Sequence, residues 1–60
     1  MPSVIAVVVS HDPDLVRFGQ VLDSLVGEVD GVVIVDNASR NINEIVKMCS
    51  QVPNCSVVRL

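Results

Sequence analysis

The stretch Val-Ile-Ala-Val-Val-Val at residues 4–9 is apolar at every position and runs directly into Ser-His-Asp-Pro at residues 10–13. An unbroken apolar run of this length is typical of a strand that is covered on both faces, and it is too short for a helix. The pattern recurs at residues 31–35, Gly-Val-Val-Ile-Val, which lead into Asp-Asn-Ala-Ser-Arg at residues 36–40. The sequence therefore predicts two buried strands, each ending in a polar loop.

A helix is predicted between these strands. Asp12 suits the N-cap, Pro13 suits the first helical position, and Asp14 places a negative charge at the positive end of the helix dipole. Gly19 within this segment costs the helix about 1 kcal/mol relative to alanine, so we expect either close packing there or simple tolerance of the glycine. The apolar residues follow the three-and-four spacing of a buried stripe: Leu15, Phe18, Leu22, Leu25, Val26 and Val29.

A second helix follows the second polar loop. Asn41 and Glu44 have the spacing of a capping box, and Pro53-Asn54 ends the helical pattern. Residues 55–60 then indicate a third strand. The order β-α-β-α-β predicts an α/β fold with a three-stranded parallel sheet in the order 3-2-1, an incomplete Rossmann-like half. Right-handed crossovers in that order place both helices on one face of the sheet.

The other face of such a sheet has no cover within the 60 residues. Yet neighbouring side chains of a strand point to opposite faces, so the apolar runs place valines on the bare face as well. We therefore expect residues 1–60 to be the N-terminal part of a single larger α/β domain. A homo-oligomer that stacks two sheets is the alternative.

Composition excludes several classes of protein. The net charge is −3, no basic run occurs and Phe18 is the only aromatic residue, which argues against nucleic acid as a partner. The longest apolar run has six residues, whereas a membrane span needs about 20. Because no signal sequence is recognisable, we expect a cytoplasmic location. Cys49 and Cys55 then indicate a reduced, structural pair, with a disulfide between them as the alternative.

The two polar loops are the candidate site. Ligands of open parallel sheets bind beyond the carboxyl ends of the strands, where these loops would face each other. Their hydroxyl, imidazole, amide and carboxylate groups suit a nucleobase and ribose. No glycine-rich phosphate loop follows the first strand, which argues against dinucleotide and P-loop sites. The candidate ligand-binding residues are Ser10, His11, Asp36, Asn37 and Ser39.

Structural roles remain open for the same residues. A lone histidine such as His11 often serves as a capping hydrogen-bonder. Asp36 could instead accept hydrogen bonds from its own turn, Ser39 could cap the second helix, and Asn37 tolerates strained turns without a ligand. Asp12-Pro13-Asp14 has the letters Asp-x-Asp of a metal motif, but a cap at the helix start is the favoured interpretation.

The two strand-loop motifs, residues 7–13 and 33–39, resemble the start of a glycosyltransferase family 2 protein of the GT-A fold. The Asp36-Asn37 form, with Pro13 in the first turn, is closest to rhamnosyltransferase-like members. The resemblance implies the donor-binding segment of an enzyme that transfers a sugar from a nucleotide-diphosphate donor to an acceptor. Ser10 and His11 would then line the base pocket, Asp36 and Asn37 would bind the far side of the nucleoside, and Ser39 would support the loop.

The same resemblance implies a divalent metal, Mg or Mn, in the full-length family member, bound by an Asp-x-Asp segment beyond the third strand. Neither this segment nor a catalytic base maps onto the chain, so we expect the 60 residues alone not to catalyse transfer. A noncatalytic α/β module that associates through its bare sheet face is the alternative function.

Overall fold

The computed structural model describes residues 3–60 and confirms the predicted α/β fold. Three parallel strands lie in the order β1-β2-β3, with β1 and β2 in register at Val8–Ile34 and β2 and β3 at Ile34–Val57. The elements are β1 (Ile5–Ser10), α1 (Leu15–Val26), β2 (Gly31–Asp36), α2 (Ile42–Ser50) and β3 (Cys55–Arg59).

One face of the sheet is covered by both helices. Alternate residues of the central strand, Val32 and Ile34, are buried on this face. Because burying a large aliphatic or aromatic side chain contributes about 1.5–3 kcal/mol, this single layer supplies most of the hydrophobic stabilisation. The buried core consists of Phe18 and Leu22 from α1, Ile45 and Cys49 from α2, and Val32 and Ile34 from β2.

The opposite face is bare, as the sequence predicted. Val7 is 65% exposed and Val9 is 73% exposed, although both lie within a strand. Ile5 and Val58 share this face and are also about half exposed. The two neighbouring valines of β2, Val33 and Val35, are only half-buried. A row of β-branched apolar side chains therefore faces solvent on all three strands.

The start of α1 differs from the prediction. Asp14, not Asp12, is the N-cap: its Oδ1 accepts hydrogen bonds from the backbone N–H groups of Val16 (3.0 Å) and Arg17 (3.2 Å). Pro13 therefore precedes the cap and is not the first helical residue. The physical reason is that Asp12 has a left-handed backbone, with φ 43°, and turns the chain before the helix begins.

The start of α2 also differs, because the predicted capping box does not form. Asn41 is the N-cap residue, but its side chain makes no capping hydrogen bond. Its Nδ2 instead donates to the backbone carbonyl of Pro13 at 3.0 Å, which ties the start of α2 to the loop before α1. Close packing at Gly19 is confirmed, since a Cβ there would lie 3.1 Å from Cε of Met48.

Candidate functional site

The two polar loops meet at the carboxyl ends of β1 and β2. Ser10 and Asp36 are the last residues of these strands and lie opposite each other in the register. The backbone N–H of Asn37 donates to the carbonyl of Ser10 at 2.8 Å, which extends the pairing into the loops. The structure therefore brings together all five candidate residues, from positions 10, 11, 36, 37 and 39.

The Asp36 carboxylate is the centre of this arrangement. Its Oδ1 accepts hydrogen bonds from Oγ of Ser10 at 2.7 Å and from Oγ of Ser39 at 2.6 Å. Its Oδ2 accepts one from the backbone N–H of Ser39 at 3.0 Å, the turn arrangement that the sequence left open. Asp36 is 1% exposed, so its direct partners are protein groups.

The hydrogen bonds keep Asp36 charged inside the fold. The hydroxyl of Ser39 is the main cause of a lowered pKa, with further contributions from the backbone N–H of Ser39 and the hydroxyl of Ser10. Burial opposes the shift, because it disfavours the charged form. Ionised carboxylates make the stronger hydrogen bonds, so the anion is the form that holds the site together.

Asp12 joins the two loops and was not among the predicted site residues. Its backbone N–H donates to Oγ of Ser39 at 2.8 Å, and its Oδ1 accepts from the backbone N–H of Arg40 at 2.7 Å. A continuous chain of hydrogen bonds therefore runs from Asp36 through Ser39 to Asp12. Asp-Pro is a turn signal, but the partner 28 residues away could not be read from it.

His11 and Asn37 form the accessible rim of the site. The His11 side chain is 63% exposed, and its Nδ1 lies 2.6 Å from the carbonyl oxygen of Asn37. A carbonyl only accepts, so Nδ1 carries the proton in this contact. Nε2 lies 3.7 Å from Oδ2 of Asp12. The ring is thus oriented by both loops while most of its surface remains open.

Ala38 has an unfavourable backbone conformation, with φ 52°. This left-handed geometry costs a residue with a Cβ about 1–2 kcal/mol and favours glycine. It positions Ser39 so that both its backbone N–H and its hydroxyl donate hydrogen bonds to the Asp36 carboxylate. The unfavourable backbone of Ala38 is therefore compensated by the hydrogen bonds that Ser39 makes to Asp36.

The two acids of the Asp-x-Asp letters have separate structural partners. Asp12 and Asp14, the two acids of the Asp-x-Asp letters, are directed to backbone N–H groups of different elements. Within residues 3–60, no group of three or more His, Cys, Asp or Glu side chains could hold a metal ion. One acceptor does lack a partner among these residues: Oδ1 of Asn41, which is buried beside the two loops.

A separate groove of about 280 Å³ lies between the helices. It is bordered by Gly19, Leu22, Asp23, Met48, Gln51 and Val52. Among the described residues, its only polar lining side chains are the carboxylate of Asp23 and the amide of Gln51. It therefore lacks the hydroxyl and imidazole groups that the two polar loops provide. We therefore assign the candidate site to the carboxyl ends of β1 and β2.

Comparisons of the chain with known protein families, with curated proteins and with solved structures find no match. The helices of the described part of the chain are all too short or too polar to cross a membrane. The functional assignment therefore depends on the two strand-loop motifs and on the geometry of the crevice between them.

Proposed function

We propose that the chain is the N-terminal donor-binding segment of a glycosyltransferase, and that its crevice binds the nucleoside of a nucleotide-diphosphate sugar. The observation that carries this proposal is the hydrogen-bonded chain Asp36–Ser39–Asp12, which fixes the two loops around an open rim. The crevice lies beyond the carboxyl ends of parallel strands, the usual binding position in open α/β sheets.

The proposal divides the candidate residues by exposure. His11 and Asn37 are accessible, so the imidazole face would pack on the base and the Asn37 amide would hydrogen-bond its edge. Ser10, Asp36 and Ser39 are buried and act as positioning residues. Asp36 is thus assigned an indirect role in binding, in place of the direct contact that the resemblance implies.

The segment alone is proposed to bind and not to catalyse. Asp12 and Asp14, the acids of the Asp-x-Asp letters, accept hydrogen bonds from backbone N–H groups, so the Mg or Mn of the family is assigned to residues outside these 60. A cytoplasmic location belongs to the same proposal and would keep Cys49 and Cys55 reduced, since cytoplasmic proteins rarely hold stable disulfides.

The test is an NMR titration of the isotope-labelled chain with uridine diphosphate and with deoxythymidine diphosphate. We expect one of them to shift the amide signals of residues 10–12 and 37–40. His11→Ala should reduce the affinity at least about tenfold, corresponding to about 1.4 kcal/mol.

The matched control is Gln51→Ala, an exposed substitution at the opposite end of the sheet, which should leave the titration unchanged. Sodium pyrophosphate serves as a second control, because it carries the charge without the nucleoside. Shifts that are equal for pyrophosphate and both nucleotides, or that His11→Ala does not reduce, would contradict a nucleoside site.

A second function is favoured by the bare sheet face. Its exposed side chains, Ile5, Val7, Val9 and Val58, suit a noncatalytic interaction module that associates through this face, with a second copy as the simplest partner. Light scattering that gives a dimeric mass, together with no nucleotide shifts, would favour this function. Val7→Lys should then return the chain to a monomer.

A further inference from the structure

The two cysteines meet at the amino end of the sheet, opposite to the proposed nucleoside site. Cys49 lies in the last turn of α2 and is buried, whereas Cys55 is the first residue of β3 and is half-buried. Both are free thiols, and their Sγ atoms are 2.8 Å apart. Two sulfur atoms in direct contact need little movement to become bonded.

The backbone between the cysteines is held by hydrogen bonds on both sides. At the end of α2, the N–H of Val52 donates to the carbonyl of Cys49 at 3.0 Å. Before β3, Asn54 has a left-handed backbone, with φ 55°, and its carbonyl accepts from the N–H of Val32 in the central strand at 2.9 Å. The contact between the thiols is therefore imposed by the fold.

We propose that Cys49 and Cys55 are a redox-sensitive pair that forms a reversible intrachain disulfide on exposure to a small disulfide oxidant such as oxidised glutathione. Cys55 attacks one sulfur of the oxidant and displaces one glutathione thiolate. Cys49 then attacks Sγ of Cys55 and displaces the second. The two cysteines lose two protons and two electrons, and one glutathione disulfide is reduced to two glutathione thiols.

The order of the two steps follows from exposure, because Cys55 is the thiol that an oxidant can reach. Its reactivity is restrained: burial, together with the neighbouring Cys49, raises the pKa of Cys55 to about 12. Little thiolate is present at neutral pH, and the thiolate is the attacking form. The pair therefore responds to sustained oxidation and is poorly suited to rapid catalytic turnover.

The new bond would tether α2 to β3 and would leave the crevice unchanged. Cys55 pairs with Val32 near the amino end of β2, whereas Asp36 ends the same strand. A disulfide closes the loop from residue 49 to residue 55, which lowers the entropy of the unfolded chain. The expected consequence is a more stable fold with the same nucleoside site.

The test compares the reduced chain with the chain equilibrated in oxidised glutathione, by intact mass and thermal unfolding. We expect a monomer lighter by two hydrogen atoms, without a glutathione adduct, whose melting temperature rises by about 10 °C. Dithiothreitol should reverse both changes. The NMR signals of residues 10–12 should not move on oxidation.

Cys55→Ser and Cys49→Ser are the matched variants. Cys49→Ser keeps the accessible Cys55, so oxidised glutathione should leave it as a mixed disulfide or a linked dimer. Cys55→Ser keeps only the buried Cys49 and should react more slowly. Neither variant should gain stability. Persistence of both thiols in the wild-type chain under conditions that modify Cys55 in the Cys49→Ser variant would overturn the proposal. A wild-type chain that ends as a glutathione adduct, or that shows no rise in melting temperature, would also overturn it.

Discussion

The two faces of the sheet are made from the same residue types but have opposite surroundings. In the central strand, Val32 and Ile34 are buried beneath the helices, while Val33 and Val35 between them are half-buried on the bare face. The covered row ends in Asp36, whose carboxylate organises the candidate site. The comparison teaches that stability and site geometry come from the same face, whereas the bare face is free to contact something else.

The largest effect is expected from shortening a side chain on the covered face. Ile34 is fully buried, so Ile34→Ala should destabilise the fold by about 2–5 kcal/mol and leave a cavity. In a domain of this size, that loss is comparable with the whole stability. Urea unfolding followed by circular dichroism measures it.

Ile5→Ala is the matched control, because it makes the same change on the bare face at a residue that is 53% exposed. It should cost less than half as much as Ile34→Ala. Equal losses from the two substitutions would mean that the bare face is covered in solution.

A smaller effect is expected from Asp36→Asn, which removes the charge from the end of the covered row. The hydroxyls of Ser10 and Ser39 then lose a charged acceptor, so the melting temperature should fall. This fall in melting temperature should be smaller than the fall caused by Ile34→Ala and larger than the fall caused by Ile5→Ala.

The same variant tests the pH dependence. The folded pKa of Asp36 is lowered, so its stabilising contribution is complete above the unfolded value of about 4 and is lost as the pH falls further. Wild-type stability should therefore decline more steeply below about pH 4 than that of Asp36→Asn. Parallel pH profiles, measured by thermal unfolding, would contradict a charged Asp36.

A stabilising change is expected in the loop that follows the covered row. Ala38 has φ 52°, so Ala38→Gly should relieve strain and stabilise the fold by about 0.5–1 kcal/mol. Ala6→Gly is the control, since Ala6 lies within β1 and glycine weakens a strand interior. Urea unfolding should show opposite signs for the two alanines.

The smallest effect is expected on the bare face. Val7 is 65% exposed, so Val7→Thr should change the stability by less than about 0.5 kcal/mol. Val32→Thr buries the same hydroxyl beneath the helices and should cost about 1–3 kcal/mol. Comparable losses at both positions in urea unfolding would show that the faces are equally covered.

Much of the candidate site could be predicted from the chain, because the rules involved are local or topological. Two apolar runs that end in polar loops predict parallel strands, and parallel strands bring residues 10–11 and 36–39 to one edge. The role of Asp36 was harder to predict. Its Oδ1 accepts a hydrogen bond from Ser10, which is 26 residues away, and no local pattern reveals that contact.

The errors at the helix starts have the same origin. Asp12 and Asn41 both suit a capping position by residue type, but each is hydrogen-bonded to the other loop. Local propensity gives the set of groups that could cap a helix. Hydrogen bonds between loops that are distant in the chain decide which of these groups forms the capping hydrogen bond.

The amino-acid sequence by itself determined the α/β class and the apolar character of both faces of the strands, because the hydrophobic period operates along short stretches of chain. The single helical layer follows from right-handed crossovers once the strand order 3-2-1 is taken, and the structure confirms that order. Only the tertiary structure decided that Asp36 is buried and internally bonded, that Asp12 joins two loops, and that the thiols of Cys49 and Cys55 touch. These features depend on atoms brought together by packing, at distances and orientations that residue order does not encode locally.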